Sequence, residues 1–267
     1  MAVPKRNLAS RIHVWARREE AVAQISAAGL ADFASTDLRE VTADATLIIL
    51  ATPVPFMAAI AEQLATFSLQ PGVLVTDVGS VKATVVEQAG STLRAAGVEF
   101  IGSHPMAGSE QAGLEAARSD LFDGAACIIT PQDDTDRAQL SRLELWWSAL
   151  GCRVSKLSPG AHDEAIGRIS HLPHIAASVL TLAALKNDPA LAKLAGQGFR
   201  DSTRVAAGDP ELWLGILKEN RDAILHPLRD LQEELGRVLA ILENMNDEHV
   251  LKFLQDAKGL RDSCQHP

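Results

Sequence analysis

Two short runs, LIILATP (residues 47–53) and VLVTDVGS (residues 73–80), open with consecutive apolar residues instead of alternating ones. A strand of that kind must be covered on both faces, which is the situation of parallel strands flanked by helices. Further β-rich runs occupy residues 11–16, 99–105 and 125–131, with a short one near 152–158. Helical patterns separate them at residues 19–29, 56–67, 82–97 and 136–151. Strand–helix alternation at this spacing predicts an α/β, mostly parallel, doubly wound sheet. From about Pro159 onward only helical patterns occur. Pro173 and Pro227 fall inside two of them and are expected to kink or break them. Asp209 followed by Pro210 reads as a helix start. The chain therefore divides near residue 158, into a dinucleotide-type α/β domain over 1–157 and an all-helical domain over 158–267.

The charge balance limits the partners. The 267 residues carry 34 acidic against 25 basic side chains, a net charge of −9. Such a chain has no general attraction for nucleic acid or an anionic membrane. An anionic ligand must be held by locally placed Arg, Lys or His. The three cysteines, Cys127, Cys152 and Cys264, are far apart and in no metal-binding spacing. They predict a reducing compartment and no disulfide framework. Cys127, within ACIIT, reads as a small buried apolar residue. There is no apolar signal segment at the N-terminus and no run of about 18 apolar residues, so the expected location is the cytoplasm.

Doubly wound dinucleotide domains begin with strand, Gly-rich turn and helix, and the turn holds the pyrophosphate. No GxGxxG occurs in this sequence. RIHVWARREE instead reads as the second strand of such a domain. The carboxylate that would end that strand and bind a ribose hydroxyl is replaced by Ala16, followed by Arg17 and Arg18. Adjacent arginines there suit the 2′-phosphate of NADP, so NADP is favoured over NAD. The opening residues, MAVPKRNLAS, fit the tail of a first helix and its loop. Met1 then reads as an internal methionine, with a strand and glycine turn upstream. The other reading is a chain that lacks the cradle.

Five segments recur together: DVGSVK (residues 77–82), FIGSHPMAGSEQAG (100–113), LFDGAACIITP (121–131), ISHLPHIAA (169–177) and GFRDSTRVAAGDPELW (198–213). In that order they resemble the prephenate and arogenate dehydrogenases of tyrosine biosynthesis, from about residue 11 to about 242. The resemblance implies a Rossmann-type domain lacking its first strand and Gly-rich loop, followed by a helical dimerisation domain, and hence a homodimer. It implies an oxidoreductase that takes prephenate or arogenate as a small-molecule substrate, with NADP or NAD as cofactor and no metal. The reaction removes hydride from C4 of a cyclohexadiene ring while its hydroxyl loses a proton. CO₂ then leaves C1 and the ring becomes aromatic.

His104 is the candidate for the hydroxyl proton, because a neutral imidazole accepts a proton near neutral pH. Pro105 confines His104 to extended geometry and fixes its direction. By resemblance Ser80 is catalytic and cofactor-facing, orienting the histidine and approaching the nicotinamide; it also stands where a helix N-cap would. Arg204 is the carboxylate clamp, offering bidentate hydrogen bonds. Asp201 matches an acid that orients that arginine or a histidine. His174 is placed on the substrate side, with His171 packed nearby. Trp213 matches a pocket-lining position, and Glu110 an acid at the pocket mouth. Ala51, Thr52 and Pro53 end a strand at the cofactor-facing position, beside Arg17 and Arg18. Lys82 is read as near phosphate or substrate, or else as solvated. Two other readings compete with the dehydrogenase: a non-catalytic dimeric binding protein that has lost the cofactor cradle, and another small-acid dehydrogenase of similar build.

Overall fold

The computed structural model describes residues 1–108 and 113–264. By contact the chain divides into two compact units, Met1–Arg221 and Asp222–Pro267.

The first unit opens with a short helix α1 (Ala2–Lys5), then β1 (His13–Trp15), α2 (Glu19–Ala27), β2 (Phe33–Ser35), α3 (Leu38–Thr42), β3 (Leu47–Leu50) and α4 (Met57–Ala65). β4 (Leu74–Asp77) leads into a helix made of α5 (Ala83–Val85), a π turn (Val86–Gly90) and α6 (Ser91–Ala95). β5 (Glu99–Phe100), β6 (Gly102–Pro105), β7 (Ala126–Thr130), α7 (Arg137–Ala149) and β8 (Arg153–Lys156) complete the α/β part. α8 (Pro159–Ile166), a π turn (Gly167–His171), α9 (Leu172–Leu185), α10 (Gln197–Thr203) and α11 (Pro210–Glu219) follow.

β4 shows why its run is continuously apolar. All four of its residues are buried. Val75 packs with Met57, Ile60, Leu64 and Leu93 on one face, and Leu74 with Leu143, Trp147 and Leu150 on the other. Helices α4 and α6 cover the first face and α7 the second, which is the doubly wound arrangement. Burying each large side chain contributes about 1.5–3 kcal/mol, so the sheet is held by two independent apolar layers.

The sheet is less regular than the sequence pattern predicts. β1 pairs with β2, β3 with β4 and β4 with β5, all in parallel. β6 pairs antiparallel with β7, and β7 parallel with β8. The stretch 99–105 is thus one extended run with a switch at Ile101, whose N–H donates to the Val75 carbonyl. Beyond it the chain leaves β4 and joins β7. β2 and α3 are too short and too polar to be read from the sequence.

Pro173 does mark an interruption: it is the second residue of α9, directly after the π turn. The second unit comprises most of α12 (Arg221–Asn244) and α13 (Asp247–Ser263). Pro227 does not break α12, which runs through it. The break falls at Asn220 instead, whose φ of −108° and ψ of 22° leave the helical region. Among the described residues no helix is long and apolar enough to cross a membrane.

Candidate active site

His104 lies within β6, in register with Ile128, and not in the loop that follows. It is buried, and its Nδ1 is 2.9 Å from His162 Nε2. His162 Nδ1 is 2.8 Å from Asp163 Oδ1. A carboxylate only accepts, so His162 donates from Nδ1 and, as a neutral ring, accepts at Nε2. His104 must then donate from Nδ1, which leaves Nε2 as its unprotonated nitrogen. Asp163 therefore selects, through two rings, the tautomer in which His104 is a base at Nε2. The pKa of His104 is held well below 6.5, first by burial and then by Lys82, His162 and His171.

Asp163 also fixes the frame around the relay. Its Oδ1 accepts from the Lys82 N–H at 2.7 Å and its Oδ2 from the Ala83 N–H at 2.8 Å, so it caps α5 from 80 residues downstream. Ser80, expected as a possible cap, does not fill that role; it sits in the loop just before. Beneath His104, Lys82 is neither solvated nor at a ligand surface. It is fully buried, pairs with Asp77 and donates to the Ser103 carbonyl at 3.0 Å. The Ser103 hydroxyl donates to the Asp77 carbonyl at 2.7 Å, and its N–H donates to Asp77 Oδ1 at 3.2 Å. These bonds join the end of β4 to β6 and so position the residue that follows, His104.

The helical segment from α8 to α9 brings in the other histidines. His162 and His171 are nine residues apart, which would set them about 180° apart around an uninterrupted α-helix. The π turn inserts one residue and reduces this to about 80°. His171 is fully buried, and its Nδ1 is 3.0 Å from Asn220 Nδ2. His174 stacks on Trp213, with ring centroids 3.4 Å apart and planes 12° apart. Trp213 also meets His171 edge-on at 5.9 Å. Gly208 permits this stack, because a Cβ there would come within 2.5 Å of Trp213 Nε1 and 3.4 Å of His174 Cε1. Burial lowers the His174 pKa, against a hydrogen bond with the Val205 backbone.

Burial also pulls the His171 pKa down to about 4, opposed by Asp163 and helped by His162 and His174. The unfolded ring titrates near 6.5, so between 6.5 and 4 the unfolded chain binds more protons. Stability is then full above pH 6.5 and falls as the pH drops toward 4, by about 2 kcal/mol at pH 5 from this group. Urea midpoints at pH 7, 6 and 5 are expected to fall in that order; equal midpoints would mean that His171 is charged in the fold.

Of the residues singled out in the sequence, His104, His174 and Trp213 thus belong to one buried neighbourhood with His171. Arg204 is exposed, beside Val205 in a 3₁₀ turn (Arg204–Ala207) packed on α9. Asp201 is exposed and accepts from Gln197 at 2.7 Å. Glu110 lies outside the described residues. His162, Asp163 and Asn220 were not singled out. The signal for His162 was its spacing of four from the core residue Ile166, which puts both on one helical face.

The expected cofactor residues lie at the ends of β1 and β3. Arg17 and Arg18 are exposed directly after β1. The Arg17 guanidinium lies 5.9 Å from the Phe56 ring centroid, which ties it to the segment after Pro53. Ala51 and Pro53 are exposed, and between them Thr52 Oγ1 is buried with no hydrogen-bond partner among the described residues. An orphaned hydroxyl at the carboxyl end of a parallel strand fits the ribose–nicotinamide side of a dinucleotide.

Two family models cover the chain: the nucleotide-binding domain of prephenate dehydrogenase over residues 4–156 and its dimerization domain over residues 158–256. The prephenate dehydrogenase of Bacillus subtilis is 34% identical over 247 residues, which are 91% of this chain and 66% of that protein. The chain thus spans just under two-thirds of that relative's length. The crystal structure of the Aquifex aeolicus prephenate dehydrogenase with hydroxyphenyl propionate and NAD⁺ matches with a TM-score of 0.88 and 28% identity, over 98% of this chain and 92% of that one. The Synechocystis arogenate dehydrogenase matches with a TM-score of 0.77 and 32% identity, over 94% of this chain and 90% of that one.

Proposed function

Since the chain belongs to the prephenate dehydrogenase family, we propose that it catalyses the NAD(P)-dependent oxidative decarboxylation of prephenate or arogenate. The observation that carries this reading is the relay Asp163–His162–His104, which leaves a neutral base at His104 Nε2. A nicotinamide cofactor held at the ends of β1, β3 and β4 would supply the acceptor for the hydride of C4. His104 takes the C4 hydroxyl proton as the carbonyl forms. The electron pair of the C1–CO₂ bond then enters the ring, and the phenolic oxygen recovers a proton from His104. Exclusion of water by the buried histidine cluster keeps that proton local.

Thr52 with Ala51 and Pro53, and Ser80 after β4, are the residues we assign to the cofactor's ribose–nicotinamide side. Ser80 is also assigned to orienting His104. Arg17 and Arg18 support NADP, because they stand exposed where an acid would favour NAD. His174 and Trp213 form the stacked wall offered to the substrate ring, with Asp201 and Glu110 assigned to its polar rim. Residues 1–157 form the cofactor domain in this reading and residues 158–267 the helical one, in line with the two family models. The exposed Leu235, Leu239 and Leu242 of α12, at helical spacing, support a homodimer. The net charge of −9 supports our reading of a cytoplasmic enzyme without nucleic-acid or membrane partners. The relatives are named for dehydrogenase activity, which leaves a non-catalytic binding role without support.

The test is reduction of NADP⁺ or NAD⁺ on addition of prephenate or arogenate, with release of CO₂; no reduction with either substrate refutes the assignment. Arg204→Ala is expected to raise KM for the substrate by about 10- to 100-fold with little change in kcat, since a charge-assisted hydrogen bond contributes about 1.5–3 kcal/mol. An unchanged KM removes Arg204 from the site. The Aquifex protein holds hydroxyphenyl propionate, and the same aromatic acid is a suitable binding probe for this chain.

A further inference from the structure

Asp163 serves a second histidine besides His104. Its main-chain carbonyl accepts from Asn220 Nδ2 at 3.0 Å, and the same Nδ2 is 3.0 Å from His171 Nδ1. Because a carbonyl can only accept, the atom facing it must be the amide nitrogen and not the oxygen. That nitrogen has two hydrogens, and the second points at His171 Nδ1, which must be unprotonated to receive it. The proton of the neutral ring is then on Nε2. Yet His171 Nε2 is buried and has no hydrogen-bond partner among the described residues. The ring is fully covered, meets Trp213 edge-on and is near enough to His104 to act on its charge. An N–H buried without an acceptor costs about 1–3 kcal/mol, so it calls for an acceptor that the described residues do not supply.

We propose that Asn220 holds His171 as an Nε2–H donor, and that this donor binds a carboxylate or carbonyl oxygen of the substrate. This rests on the proposed function and adds to it a binding residue, His171, and a positioning residue, Asn220. One aspartate thereby sets two histidines in opposite senses. Its carboxylate makes His104 an acceptor at Nε2, and its carbonyl, through Asn220, makes His171 a donor at Nε2. The two rings then read different oxygens of one molecule: an O–H that gives up its proton, and an oxygen that only accepts. A substrate turned end for end would set an acceptor against an acceptor, so the pair also selects orientation.

The experiment is ¹⁵N–¹H spectroscopy of the histidine-labelled protein, with hydroxyphenyl propionate as the probe and 4-ethylphenol, which lacks the carboxylate, as the control. The free protein is expected to show His171 protonated at Nε2, with its proton resonance moving downfield when hydroxyphenyl propionate binds. His171→Phe is expected to weaken that ligand by about 10- to 100-fold and 4-ethylphenol by less than twofold, with His171→Gln recovering part of the loss. A response to both ligands alike would place the acceptor at the phenol end and overturn the carboxylate or carbonyl assignment. An Nε2 that is unprotonated in the free protein overturns the role of Asn220. A resonance that does not move on binding, with turnover intact, means that the donor is spent on a buried water or the Trp213 face; this inference then falls and the proposed function stands. Absence of both binding and turnover overturns both.

Discussion

His104→Asn is expected to lower kcat by about 10²–10⁴-fold while leaving KM for substrate and cofactor within a few-fold, the range for loss of a positioned general base. Asparagine keeps a polar side chain of similar reach but has no titratable nitrogen at the position of Nε2. The size of the effect follows from the relay, since a ring fixed by two further hydrogen bonds loses no time in the wrong tautomer. The pH profile carries the sign. The base must be unprotonated to act, and burial together with Lys82, His162 and His171 holds the His104 pKa well below 6.5. The wild-type rate is therefore expected to stay level as the pH falls from 7 to 6, and to decline only as it passes through the lowered value. An acid limb at or above pH 6.5, or a variant with kcat within threefold of wild type, would mean that another group takes the proton.

Lys82→Met is expected to destabilise the fold by about 3–5 kcal/mol, the cost of leaving one member of a buried ion pair without its partner. Lys82 and Asp77 are both fully buried, and Lys82 also donates to the Ser103 carbonyl. Burial pulls the ammonium pKa down while the Asp77 charge and hydrogen bond pull it back. Urea unfolding reads the change as a lower midpoint at unchanged slope. The double variant Asp77→Leu with Lys82→Met is expected to recover much of the loss, because two apolar side chains leave no unpaired charge. A single variant that loses less than 1 kcal/mol would show that water or another group solvates Asp77. Since the same bonds position β6, the Lys82 variant also tests whether His104 is held from below: His104 activity should fall even where the protein is still folded.

The sequence alone determined the doubly wound arrangement, because a strand such as LIIL or VLV that is apolar on both faces can only be buried between helices. It determined the helical second half, and through the resemblance of its motifs to a known family it singled out His104, His174 and Trp213 as candidates. Local pattern was enough for the strands and helices because each depends on its immediate neighbours. Tertiary structure decided the rest. GAHDEAIGR has the polar look of a solvent-facing turn of helix, yet His162 and Asp163 are buried against β6 and the start of α5. Lys82 reads like any surface lysine until β4 and β6 close over it. Pro227 looks like a breaker, but the helix ends at Asn220, where the side chain is committed to Asp163 and His171. A hydrogen bond between residues 57 or 80 positions apart leaves no periodic trace in either segment. Which nitrogen of His104 is the base, and which of His171 the donor, is settled only when those distant partners meet.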